Sequence, residues 1–356
     1  VYSLSRRAPS TTRPPLRILH WKARPNRLAG LSQVAWPWQT GGMKYLLLAA
    51  AAASLAIPAQ AQEATEVPSP GKIAAAAPAK DWIAIPASDL LVVDLTPDAK
   101  GKARRVVIQL MPAPFSQGWI GNIRKLAAAR WWDGTSVNRV QDNYVAQWGD
   151  ATEKKPLPEG LVTVPESEYS VLPHILVAHE TRSPALPPSP HRPRGDAYAE
   201  FTGFVAGWPV AYDHQSEWPV HCYGMVGVGR NMSPDTGSGA ELYAVIGHAP
   251  RHLDRNIALV GRVISGIEYL SSLPRGTGPL GFYEDEAERV GIRSIRLVSD
   301  LSAGDQPRFE YLSTDSDAFA SYADARANRR DPFFIRPAGG ADICNIPVPI
   351  RPIAAK

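Results

Sequence analysis

Within WWDGTSVNRVQDNYVAQWGD, residues 131–150, one arginine, Arg139, stands among apolar side chains, with Tyr144 five residues on and Gln147 eight on. Arginine keeps its charge in a protein and is a poor general base. It can instead aim fixed N–H donors at an atom whose lone pair becomes available only in a transition state. Rotation about a peptide bond offers such an atom. Amide resonance sets a barrier of about 18–20 kcal/mol, and the nitrogen recovers its lone pair as that resonance is broken. No nucleophile, metal or proton cycle is required, so the lack of clear Ser/His/Asp or metal-ligand spacings elsewhere does not count against catalysis. The plain alternatives are a solvated or salt-bridged strand arginine, a core aromatic and a structural amide.

The flanking pattern says what must hold these residues. Leu90 to Leu95 and Arg105 to Leu110 are short β-branched runs joined by a polar turn, Pro97 to Gly101, and read as a hairpin. Ser116 to Arg130 carries Trp119, Ile120, Ile123, Leu126 and Ala127 at helical spacing. Strand-like runs recur at 224–228, 241–247, 257–263 and 292–298, with a short helix predicted at 266–273. Many short strands and two clear helices predict a mainly β fold, an antiparallel barrel. Residues 151–220 interrupt the pattern. With Pro184, Pro187, Pro188, Pro190 and Pro193 close together, they read as a surface insertion, partly polyproline-like. Residues 301–356, polar and Pro-rich with a helical stretch near 315–330, read as a C-terminal appendage, and Ala/Pro-rich 62–80 as a flexible linker with order starting near Asp81.

Charge excludes a partner class. Residues 1–61 hold eight of the 38 Lys and Arg and none of the 34 Asp and Glu, so the rest of the chain is acidic by four charges although the whole is +4. The basic balance belongs to the leader and gives no support to a nucleic-acid partner. Met43-Lys44, an apolar run from Tyr45 to Ile57 and Ala59-Gln60-Ala61 form a secretory signal peptide pattern over 43–61, with cleavage expected before Gln62. Residues 1–42 are then expected to lie upstream of the natural start. The apolar run falls short of the roughly 20 residues that span a bilayer, so no membrane span is expected in the mature chain and a periplasmic location is. In an oxidising compartment Cys222 and Cys344 are expected to pair, the alternative being two free buried thiols. No CxxC spacing occurs, and neither metal nor cofactor is expected.

The 131–150 string resembles the signature of cyclophilin-type peptidyl-prolyl isomerases. Trp132-Asp133-Gly134-Thr135, Val137-Asn138-Arg139-Val140, Tyr144 and Gln147-Trp148-Gly149-Asp150 keep the family's spacing without a gap. Gly224 to Val228, Pro234-Asp235-Thr236 and Gly239-Ala240-Glu241-Leu242-Tyr243 resemble the segment that runs into the family's GSQFF motif. His252-Leu253-Asp254 with Val260-Gly261-Arg262-Val263 resembles WLDG…VFGRV. The resemblance covers about 90–300 and implies a cyclophilin-like closed antiparallel β-barrel with two flanking helices, the catalytic domain spanning 81–300. It implies Arg139 as the catalytic arginine, Gln147 as a substrate-binding amide, and Tyr144, Tyr243 and Leu253 as walls for a proline ring, with His252 at the rim. Two family phenylalanines are tyrosines here, the GSQ glutamine is Glu241, the tryptophan is His252, and the pocket histidine falls on Ile257.

These residues imply a peptidyl-prolyl cis–trans isomerase acting on proline-containing peptides and unfolded exported proteins. A non-catalytic proline-segment binder or chaperone on the same fold is the alternative, and a structural envelope protein a third reading.

Overall fold

A computed structural model of the chain describes residues 67–173 and 196–354. The expected upstream stretch 1–42, the expected signal peptide 43–61, residues 62–66 of the expected linker and the proline cluster from Pro184 to Pro193 lie outside the described residues. In chain order the elements begin α1 (Pro70–Ala75), β1 (Trp82–Ala84), β2 (Leu90–Leu95), β3 (Arg104–Leu110), α2 (Gln117–Ala128), β4 (Ser136–Val140) and β5 (Val145–Gly149). Next come β6 (Phe201–Val205), β7 (Trp208–Tyr212), β8 (Glu217–Pro219), β9 (Met225–Val228), β10 (Leu242–Val245) and β11 (Leu259–Ser265). The last are α3 (Glu268–Ser271), β12 (Val290–Leu297), β13 (Phe309–Leu312), α4 (Asp317–Ala327) and β14 (Ile350–Pro352).

Eight strands close a barrel in the order β10-β5-β4-β12-β2-β3-β11-β9, every pairing antiparallel. Alternation along the strands fills its interior. Leu91, Val93 and Leu95 of β2 meet Ile108, Val137, Trp148, Val226 and Ile295 from the other walls. Each large side chain so removed from water stabilises the fold by about 1.5–3 kcal/mol. The α2 helix lays Trp119, Ile123 and Leu126 on the same core. The Trp119 indole N–H donates to the carbonyls of Thr236 and Gly237, which fixes helix to loop. The two expected flanking helices are α2 and the one-turn α3.

β2 reads as one apolar run because both its faces are covered. Leu90 and Val92 point away from the interior and pack with Val107, Val298 and Phe309. Phe309 belongs to the three-stranded sheet β1-β13-β14. Residues 301–354 are therefore no loose appendage. They cover the outside of the barrel, and β13 pairs with β1 from the other end of the chain.

The expected linker and insertion are corrected in the same way. Order begins well before Asp81: Ser69 caps α1 by accepting from the Lys72 N–H, Pro70 occupies the first turn, and Ile73, Ala74 and Ala77 pack on a second apolar cluster. Within 151–220, β6, β7 and β8 form an antiparallel sheet whose Trp208 and Trp218 are each 1 % exposed. That sheet, Phe319 and Tyr322 of α4, Ile343 and Ile346 share the second cluster with Met225 and Leu259 of the barrel wall. The Cys222–Cys344 disulfide, S–S 2.02 Å, joins the β8–β9 connection to the C-terminal part. Arg262 of β11 adds a buried latch. It donates to Gln109 Oε1 and the Gly207 carbonyl and stacks 4.3 Å from the Trp208 ring centre, and burial pulls its pKa down to about 9. Gly207 needs to be glycine: its φ is +82°, and an added Cβ would lie 2.5 Å from the Tyr311 ring. Among the described residues no helix is long and apolar enough to cross a membrane.

Candidate active site

The β4–β5 hairpin places the motif residues. Val137 faces Trp148, but the next register pair is Arg139 with Gln147, so β4 carries a bulge. A bulge inserts an extra residue and re-aims the neighbouring side chain. Here it sends Val137 and Val140 into the barrel core while Arg139 lies beside Gln147 on the opposite face. The turn between the strands is closed by Asn143 at φ 51°, a conformation that asparagine tolerates better than most residues.

Arg139 is held from three directions. Its Nε–H donates to the Leu280 carbonyl at 2.8 Å, Nη1 to Gln147 Oε1 at 3.0 Å, and Nη2 to Gln141 Oε1. The guanidinium carbon lies 5.7 Å from the Tyr144 ring centre and 5.4 Å from that of Phe282. These acceptors are neutral, and among the described residues no salt bridge joins Arg139 to a carboxylate. Burial accordingly lowers its pKa, with Tyr144 and Tyr243 opposing. The segment carrying Leu280 and Phe282 docks on β4 through an Arg139–Phe282 bridge and a Tyr283 N–H to Asn138 carbonyl bond. It approaches so closely that a Cβ on Gly281 would lie 2.7 Å from the Gln141 backbone.

Beside the arginine lies an apolar patch. Tyr243 of β10 sits directly across from Gln147, and Val245 from Val145. Val145, Tyr243 and Val245 are buried together, with Tyr144 and Ile257 packed against them. Burial raises the pKa of Tyr144, and that of Tyr243 well above the ordinary phenol value. The structure thus brings Arg139, Tyr144, Gln147 and Tyr243 to one place. Leu253 and His252 ride on the helical turn Arg251–Leu253. Leu253 is half-buried and its carbonyl accepts the Ile257 N–H, which ties it to the patch, whereas His252 is exposed.

Several participants escape a reading of the sequence. Gln141, Leu280 and Phe282 hold Arg139 although nothing in their local spacing marks them. Glu241 shows a raised pKa of about 7: burial drives it up, and hydrogen bonds from the Asp150 backbone, Gln147 and Asn138 act against that. Its carboxylate lies over Gly149, where a Cβ would come within 1.8 Å of Oε1. A buried histidine, His221, hydrogen-bonds the Tyr243 hydroxyl at 3.0 Å from behind. Among the described residues no group of His, Cys, Asp and Glu has the arrangement to hold a metal ion.

The family model described as cyclophilin type peptidyl-prolyl cis-trans isomerase/CLD matches residues 102–296, more than half of the chain. Among solved structures, the cyclophilin AquaCyp293 from Hirschia baltica is similar over 77 % of this chain and 94 % of its own, at 23 % identity and a TM-score of 0.56. A cyclophilin type peptidyl-prolyl cis-trans isomerase of Cryptosporidium parvum, crystallised with the dipeptide Ala-Pro, matches at 13 % identity and a TM-score of 0.34, covering 58 % of this chain and 98 % of its own. A search of the curated proteins finds no match.

Proposed function

This chain belongs to the cyclophilin-type peptidyl-prolyl cis–trans isomerase family, and on that footing we propose that Arg139 drives rotation of X–Pro bonds bound against Tyr144, Tyr243 and Leu253. The observation that carries the reading is a guanidinium held, among the described residues, by neutral acceptors between two aromatic rings, beside an apolar patch.

In water, X–Pro isomerisation takes tens to hundreds of seconds, slow enough to limit folding. An apolar wall that fixes the proline ring lets the preceding carbonyl swing past it. As the imide nitrogen pyramidalises, an arginine N–H gains an acceptor absent from the planar ground state, so the interaction favours the transition state. Arg139 suits this role. Leu280, Gln141 and Gln147 each take one of its five N–H groups, which leaves each terminal nitrogen one more donor in an orientation already set. Because no carboxylate among the described residues pairs with Arg139, its field stays directed at the bound bond. Gln147 engages the substrate backbone through its amide.

The clients we propose are exported proteins that fold in the periplasm. Two features support this: the Met43–Ala61 pattern of a signal peptide, and the Cys222–Cys344 bridge, which belongs to an oxidising compartment. A protease-coupled assay on an Xaa-Pro peptide tests the catalytic reading. The wild type accelerates isomerisation and Arg139→Ala loses that acceleration. Peptide binding without any acceleration in the wild type would instead mark a proline-segment binder.

A further inference from the structure

Behind the apolar patch runs a chain of buried polar groups that the isomerase mechanism does not itself use. His221, 1 % exposed, contacts the Tyr243 hydroxyl through Nε2 at 3.0 Å and Asp254 Oδ1 through Nδ1 at 2.9 Å. Asp254 also accepts the His221 backbone N–H at 3.0 Å and the Arg251 Nε–H at 2.6 Å. Arg251 in turn donates from both terminal nitrogens to Asp196, within the insertion.

This order of partners fixes the protons. A carboxylate already taking two N–H groups can only accept, so His221 Nδ1 carries the hydrogen. Burial favours the neutral ring, which leaves Nε2 as an acceptor and makes Tyr243 O–H the donor. The phenol reaches Nε2 because its direct cross-strand partner on β9 is Gly227. Any Cβ there would lie 2.3 Å from the Tyr243 hydroxyl oxygen.

We propose that His221 is a positioning residue for the proline pocket: by accepting the Tyr243 hydroxyl it turns the polar end of that side chain inward, so that the wall met by substrate is ring carbon alone. This rests on the placement of Tyr243 in the pocket argued above. Without the tie, the hydroxyl turns to solvent or to the pocket and competes with a proline ring that offers it no partner. The arrangement explains how a tyrosine serves at a position where the family carries phenylalanine.

Two isosteric half-substitutions separate positioning from bulk structure. The amide of Gln at 221 reaches the Nε2 position and keeps the Tyr243 contact; that of Asn reaches only the Nδ1 position and keeps the Asp254 contact. Steady-state isomerisation of an Xaa-Pro peptide is measured for the full chain, His221→Gln, His221→Asn and Arg139→Ala. His221→Asn is expected to raise KM about three- to tenfold, the worth of one hydrogen bond, with kcat within about twofold. His221→Gln stays within about twofold in both. In a Tyr243→Phe background the Asn substitution adds no further change in KM. Equal behaviour of the two His221 variants, or an unchanged KM in His221→Asn, overturns the inference. Nitrogen-15 shifts of the His221 ring in the wild type give a check that needs no variant to fold: the Nδ1–H tautomer is expected, and an Nε2–H tautomer overturns the inference. An Arg139→Ala variant that keeps the full rate would sink the catalytic reading while leaving the tautomer result standing.

Discussion

Arg139 and Gln147 face each other across the β4–β5 pair, and the Nη1–H of the arginine donates to Oε1 of the amide at 3.0 Å. The amide is thereby oriented with its nitrogen away from the guanidinium, toward Glu241. A neutral partner here holds the arginine without cancelling its charge, and this distinction can be measured. In Gln147→Glu the carboxylate forms a close ion pair with Arg139, a charge-assisted bond about twice as strong as the neutral one. Gln147→Ala removes the hold but leaves the charge. Loss of kcat/KM is expected in both, about 10-fold or more for Ala and larger for Glu, although Glu is the closer match in shape. Peptide isomerisation rates for the two variants check the ranking; a Glu variant more active than the Ala variant would contradict it.

Glu241 makes stability depend on pH. Its folded pKa, about 7, lies above its ordinary value of 4.5 because burial disfavours the carboxylate. The fold therefore binds this proton more tightly than the unfolded chain does. The associated stability is fully present below the unfolded value and is lost as pH rises through about 7. Glu241→Gln keeps the shape and removes the titration. The variant is expected to gain about 1–3 kcal/mol over the wild type at pH 8, with the gap opening between the two pKa values. Urea melts at pH 4.5 and pH 8 measure it, and equal differences at both pH values would refute the assignment.

The disulfide holds together parts of the chain that lie far apart in sequence. Cys222 and Cys344 are 122 residues apart, and both flank the second apolar cluster. Replacing both with serine is expected to cost several kcal/mol, with about 4–5 as the loop-entropy figure, and to lower the midpoint of thermal unfolding. His221 adjoins Cys222, so the double variant is also expected to weaken peptide binding. Calorimetry and peptide titration on the same sample read both effects.

Phe282 and Tyr144 flank the guanidinium from two segments. Phe282→Leu keeps an apolar side chain but removes the ring face, worth about 0.5–1 kcal/mol as a cation–π contact at a partly exposed site. A fall in kcat of roughly two- to fivefold is expected by the same conversion, with the fold intact by circular dichroism.

What the sequence made legible was what is local in it. Arg139, Tyr144 and Gln147 share one hairpin, so their spacing survives in the linear string, and β2, β3 and β12 announce themselves by apolar runs or alternation. The hold on Arg139 was hidden because Leu280 and Phe282 arrive from a turn about 140 residues away, with no periodicity of their own. His221 and Asp254 were hidden for the same reason, since only barrel closure brings them under Tyr243. The insertion and the C-terminal part looked like loop because prolines and polar residues dominate them. Each in fact supplies a few large groups, Trp208, Trp218 and Phe319, to a core that neither builds alone. The Ala-rich α1 is ordered by packing against that core rather than by its own composition.

The most direct measurement is exchange NMR on an Xaa-Pro peptide at saturating wild-type protein and Arg139→Ala, which reads the on-protein isomerisation rate apart from binding. Catalysis by Arg139 requires comparable peptide affinity in the two proteins, with the rate in Arg139→Ala lower by roughly 10²–10³. Equal on-protein rates in both would contradict it.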